Sequence, residues 1–153
     1  MKKLLFPLAI LLFFSFTKDS GTQLDPKDKE WIVKHLTETR EHMKQVLDGL
    51  SDEQLDYKPG PTSWSIAENV EHLALTEKMF IESVHKSVAD GPNPSLKDSL
   101  VFQDDQIMPM VADRSQKVKT SEPFEPSGQY GSTEEALAAL LAIRQELMEY
   151  VET

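Results

Sequence analysis

The sequence contains no cysteine. That single absence removes disulfides, thiolate zinc sites, iron–sulfur clusters and cysteine nucleophiles together. Positive charge is also scarce, with 16 Lys and Arg against 26 Asp and Glu and a net charge of -10. A nucleic-acid binder needs clustered cations to displace counterions from phosphates, and a peripheral anchor on anionic lipid needs them too. The acidic balance speaks against both. Glycine is sparse at 6 residues, and no apolar run approaches the roughly 20 residues that a spanning helix requires. At 153 residues, with 39% hydrophobic side chains, the chain fits one soluble domain held by packing alone.

The longest apolar run lies at the start. Lys2 and Lys3 form a basic lead, and residues 4–16 are apolar except for Ser15. Small residues at Ser15 and Thr17, or at Ser20 and Thr22, suit a leader peptidase. Residues 1–17 therefore read as a secretory signal peptide, with cleavage placed approximately, and the expected location is periplasmic or extracellular. An uncleaved anchor is the alternative, opposed by Pro7 and the shortness of the run. No stable membrane span is expected once the leader is removed.

A polar leader covers 18–25, and the domain is expected over 26–153. Asp25 followed by Pro26 opens helix one, with Asp28 and Glu30 in its first turn. Ile32, Leu36, Met43, Val46, Leu47 and Leu50 then recur at helical steps, so helix one spans 26–50. Residues 51–55 look like one further turn, and Pro59-Gly60-Pro61 forces an extended link. Ser65 and Glu68 form a capping box before Ile66, Val70, Leu73, Phe80, Val84 and Val88, which predicts helix two to about Ala89. The stretch 92–131 carries Pro92, Pro94, Pro109, Pro123 and Pro126 and little periodicity. A short helix at 103–113 is expected within it, with Ile107, Met110 and Val111 inward. Ser132 and Glu135 form a second capping box, and Leu137, Leu140, Leu141, Leu147, Met148 and Val151 carry helix three to the last residue. Trp31 and Trp64, each at a helix start, read as core anchors.

Three long amphipathic helices and no strand-like alternation define an all-α fold of the four-helix-bundle type. The forty-residue connector between helices two and three is too long for a tight turn and long enough to travel the length of a bundle. Three such helices normally need a fourth to cover their apolar stripes. Helix three reaches Glu152-Thr153 with no glycine, proline or basic last turn to stop it.

Four histidines are available for chemistry: His35, His42, His72 and His85. None is paired at i, i+4, so no helix offers two imidazoles to one metal. His35 and His42 share a face about 10.5 Å apart and read as flank or surface residues. Glu82 and His85 match the Glu-x-x-His of di-metal bundles, but the motif occurs once and such sites need it twice. Glu68 and His72 are i, i+4 and could share a metal or a hydrogen bond. By periodicity alone His72 sits at the border of the apolar stripe.

Residues 50–80 carry a more specific pattern. It consists of the Leu-Ser-x-Glu-x-Leu turn at 50–55, the proline-rich link, Trp64-Ser65-Ile66, and His72-Leu73. In order and spacing this resembles the helix-one to helix-two signature of the DinB-like superfamily, and the resemblance extends loosely from Lys34 to Thr153 with Arg144 in helix three. The resemblance implies an up-down-down-up bundle holding a divalent metal, zinc or nickel, on three histidines. His72 matches the one from helix two. The other two form a His-x-x-x-His pair on a fourth helix, which this sequence does not contain. Characterised relatives include thiol S-transferases and a thiol-dependent isomerase.

One imidazole does not hold zinc usefully, since a catalytic site wants three protein ligands. Either the chain is a fragment of a longer protein, which the unstopped helix three favours, or it is a member without the metal. Tight metal binding by this chain alone is not expected. Two functions stay open. One is an exported metal-dependent hydrolase or transferase in the complete protein, acting on an unidentified small molecule. The other is a non-catalytic bundle that binds a partner or small ligand. A homodimer also stays open.

Overall fold

The computed structural model describes residues 24–93, 95, 104–113, 115 and 119–153. The expected leader at 1–17 lies outside the described residues. Five α-helices are described: α1 (Pro26–Leu47), α2 (Asp52–Asp56), α3 (Ile66–Asp90), α4 (Asp104–Ala112) and α5 (Thr133–Glu152). No strand occurs among the described residues. The fold is all-α, with three long helices and a long crossover between α3 and α5. No helix among the described residues is long and apolar enough to cross a membrane.

Local chemistry sets the helix ends. Asp25 caps α1 by accepting from the Lys27 amide, and Pro26 occupies its first turn. Helix α1 stops at Leu47 rather than reaching Leu50, because Asp48 turns extended and Gly49 adopts a φ of 75°. Ser51 and Gln54 form a complete capping box on α2. Ser65 and Glu68 do the same on α3. At α5 only the serine half forms, with Ser132 Oγ accepting from the Glu135 amide. Ser65 is buried at 3% exposure, whereas Ser132 is exposed. Ser65→Ala is therefore expected to cost about 1–2 kcal/mol and Ser132→Ala about 0.5–1 kcal/mol. Urea unfolding of the two variants would check the order, and an equal or reversed ranking would contradict it.

The helices pack around α5. Both α3 and α1 rest on it and scarcely on each other. Along α3 and α5 the contacts advance together, from Glu71 beside the approach to α5, through Glu77 with Arg144, to His85 with Tyr150. These two helices are parallel. Along α1 and α5 they run in opposite senses, from Lys29 with Glu152 to Arg40 with Gln145. The senses of α1, α3 and α5 are thus up, down, down, matching the first three of the order that the resemblance implied. A parallel pair of helices of 25 and 20 residues needs a return path of about 30 Å or more, which the long connector supplies.

The core is Val70, Ala74, Ile81, Ala136, Leu140, Met148 and Val151. It differs from the expected stripe on α3. Of the six apolar residues read there, only Val70 is buried, while Ile66, Leu73, Phe80, Val84 and Val88 are exposed. Val70, Ala74 and Ile81 occupy the buried arc, on the side of α5; Leu73, Phe80 and Val84 occupy the adjacent arc, which is exposed. The small side chain of Ala74, at 0% exposure, marks the close approach that periodicity of large residues overlooks. Two further corrections concern anchors. Trp31 is 54% exposed and stacks on His35 one turn on, and Trp64 is half-buried rather than deep in the core. Helix α4 falls where expected, but Ile107, Met110 and Val111 are exposed, because the proline-interrupted helix does not pack substantially on the long helices.

Candidate functional site

Helix α3 begins at a dense set of polar contacts, and His72 stands two turns inside it. The Ser65 amide donates to Glu68 Oε2 at 2.8 Å, the Glu68 amide donates to Ser65 Oγ at 3.2 Å, and Asn69 Nδ2 donates to the Ser65 carbonyl at 2.7 Å. Lys58 Nζ reaches Glu68 Oε1 at 2.6 Å. The Glu68 carboxylate is thus committed to the cap and to Lys58, and the hydrogen bond that Glu68 and His72 could have shared does not form. Lys58 above all, and then the Ser65 amide, hold the Glu68 carboxyl below its ordinary 4.5.

A depressed folded-state pKa contributes stability that is present above the unfolded value and lost as pH falls through the folded one. The stability advantage of the natural protein over Glu68→Gln is accordingly expected to shrink on acidification below about pH 4.5. Denaturation midpoints of the two proteins at descending pH would show this. A gap that is independent of pH would refute it.

His72 is fixed on two sides. The Trp64 ring lies 4.9 Å from its centroid, tilted by 52°. Nδ1 lies 2.8 Å from the Phe124 carbonyl oxygen, at the end of a 3-10 turn formed by Glu122–Phe124. A carbonyl oxygen only accepts, so Nδ1 carries the proton. In the neutral ring this leaves Nε2 with a free lone pair, and Nε2 makes no hydrogen bond among the described residues. The ring borders a cleft of about 850 Å³. Its walls are Thr62 and Trp64, Asn69 and His72 of α3, and Lys119, Thr120, Glu125 and Pro126 of the connector.

His72 lies near the end of the bundle where α3 starts. No residue of α1 or α5 lines this cleft. His72 lies roughly 160° around the helix from the fully buried Ala74, and its ring meets the connector at Phe124 instead.

Glu71 was not singled out from the sequence, where it is one of 26 acidic residues. It is 7% exposed, and its carboxylate accepts from three successive backbone amides: Ser127 at 3.2 Å, Gly128 at 3.0 Å and Gln129 at 2.7 Å. The sequence hint was a Pro126-Ser127-Gly128 turn able to present such amides. A second cleft of about 440 Å³ opens beside it, between the α3 start and the approach to α5.

The other histidines stand apart. His35 stacks on Trp31 at 5.3 Å, His42 is exposed, and His85 meets Tyr150 edge-on at 4.7 Å. Glu82 is exposed beside His85. No group of three or more His, Asp or Glu able to hold a metal occurs among the described residues. As a donor, His72 fits a divalent ion, since its tautomer leaves the Nε2 lone pair free. As a set, the described residues offer one candidate donor and not a complete site.

A parallel α3–α5 pair joined by a long crossover, with a histidine two turns inside α3, defines a class. A profile of the DinB superfamily matches residues 35–153, and the chain belongs to that superfamily. Among individual proteins, it is similar to the uncharacterised protein YuaE of Bacillus subtilis (strain 168), 27% identical over 112 residues. That alignment takes in 73% of this chain and 65% of YuaE, so the chain spans less than two thirds of that relative. No solved structure matches the chain significantly.

Proposed function

We propose that this is an exported member of the superfamily in which His72 Nε2 serves as one ligand of a divalent metal, zinc or nickel. The remaining ligands come from outside the described residues, and the activity is metal-dependent hydrolysis or group transfer. The observation that carries this reading is the bond from His72 Nδ1–H to the Phe124 carbonyl at 2.8 Å. Metal-ligating imidazoles characteristically give one ring N–H to a carbonyl or carboxylate, which fixes the ring and raises the basicity of the other nitrogen. A bound divalent ion supplies Lewis acidity, lowering the pKa of a water or thiol substrate. The leader at 1–17 favours water, because small thiols are abundant mainly inside cells.

Metal analysis of the full-length protein as its gene encodes it tests this reading. One equivalent of zinc or nickel is expected after dialysis, and His72→Ala is expected to abolish it. Stoichiometric metal that survives the loss of His72, or none in the natural protein, would overturn the metalloenzyme.

A second reading, a non-catalytic binding bundle, draws support from the exposed apolar arc of Ile66, Leu73, Phe80 and Val84 on α3. It is the reading that remains if the metal measurement fails.

A further inference from the structure

Glu71 and His72 are consecutive on α3, and both reach the same short piece of connector. His72 Nδ1 donates to the Phe124 carbonyl, while the Glu71 carboxylate accepts from the amides of Ser127, Gly128 and Gln129. The connector is thus gripped through its acceptor at one point and through its donors three to five residues later. Pro123 and Pro126 fix φ on either side of Phe124, so little slack remains between the two grips. Three successive amides converge on one carboxylate only because Gly128 takes a φ of 77°, which a side chain would strain.

We propose that Glu71 is a positioning residue for His72. By gathering the amides of 127–129 it holds the Phe124 carbonyl against Nδ1, and so keeps the proton there and the Nε2 lone pair directed into the cleft. In water a neutral imidazole side chain favours the opposite tautomer, with the proton on Nε2. The connector therefore reverses a default, and Glu71 anchors the connector. The consequence for a metal rests on the reading of His72 as a ligand; the consequence for the ring does not.

The test reads the ring directly. Long-range proton–nitrogen NMR of the neutral His72 ring, without metal, is expected to show the Nδ1–H form in the natural protein. Glu71→Ala and Gly128→Ala should both move it toward Nε2–H, and Glu71→Gln, which keeps a carbonyl acceptor, should move it less. Gly128→Ala leaves both side chains in place and adds a methyl in open space, straining only the backbone whose amide Glu71 holds, so it reports on the grip even if Glu71→Ala fails to fold. In the full-length protein, zinc affinity is expected to fall roughly tenfold or more in the same variants. A simple anchoring role for Glu71 would lower stability and leave the tautomer alone.

An Nε2–H ring in the natural protein, or folded variants that keep its tautomer, would overturn the inference. No metal in the natural protein, with a tautomer that still follows Glu71, would overturn the metal reading and uphold the positioning. Bound metal with a tautomer indifferent to Glu71 would do the reverse.

Discussion

Glu77→Ala is expected to lower the unfolding free energy by about 3–5 kcal/mol. Its partner Arg144 projects from α5 with a side chain only 12% exposed, and that of Glu77 is 18% exposed. Arg144 Nε donates to both Glu77 oxygens, at 2.8 and 3.0 Å, and Nη1 donates to Thr39 Oγ1 at 2.8 Å. One guanidinium thus ties α1, α3 and α5 together. Removing the carboxylate leaves a largely desolvated cation with a hydroxyl as its remaining partner, which costs far more than an exposed pair is worth. Glu77→Gln keeps an acceptor and should lose less. The double variant Glu77→Leu, Arg144→Met should recover much of the loss, because a buried pair is often replaceable by apolar groups of similar size. Urea unfolding of the three variants decides the matter. A loss under about 1 kcal/mol for Glu77→Ala would mark the pair as a solvated surface contact.

Leu140→Ala is expected to cost about 2–5 kcal/mol, the range for a fully enclosed leucine. Leu140 has 0% exposure and is the largest side chain enclosed so completely among the described residues. Phe80→Ala is the instructive contrast. Phe80 is bulkier but 57% exposed, and its loss should change stability by no more than about 0.5 kcal/mol. If Phe80→Ala proved the more damaging of the two, the division of α3 into a packed arc and an open arc would be wrong.

That division shows what could be read from the sequence and what could not. Capping chemistry is local, and Ser65 started α3 where its hydroxyl and Glu68 required it. Helical periodicity found α1, α3 and α5 because an apolar face repeats every three or four residues whatever covers it. It could not say which arc of a wide face meets a partner, since that depends on where α5 lies. Ala74 and Ile81 therefore entered the core in place of Leu73 and Phe80. Arg144 was noticed only as part of a resemblance; its partners lie 67 and 105 positions away, and no spacing rule reaches that far. His72 likewise read as a boundary residue until the superfamily pattern selected it. The carbonyl that sets its tautomer belongs to Phe124, 52 residues on, in a stretch with almost no periodicity. Glu71 was illegible for the same reason: the Pro126-Ser127-Gly128 turn hints at presented amides, but no side-chain pattern says which of the 26 acidic residues they meet.

The central place of α5 has a kinetic corollary. Thr37 meets Met148 across 111 positions, and Glu77 meets Arg144 across 67. Neither α1 nor α3 gains its main partner until α5 has arrived, so productive closure must bring distant parts of the chain together before packing rewards it. Local capping can form the isolated helices early, but their burial waits on this search. The domain should therefore fold more slowly than an up-and-down bundle of equal length, whose neighbouring helices meet through short turns. Cuts within α4, where Ile107, Met110 and Val111 are exposed, should slow it further, because they turn an intramolecular search into an encounter between separate pieces.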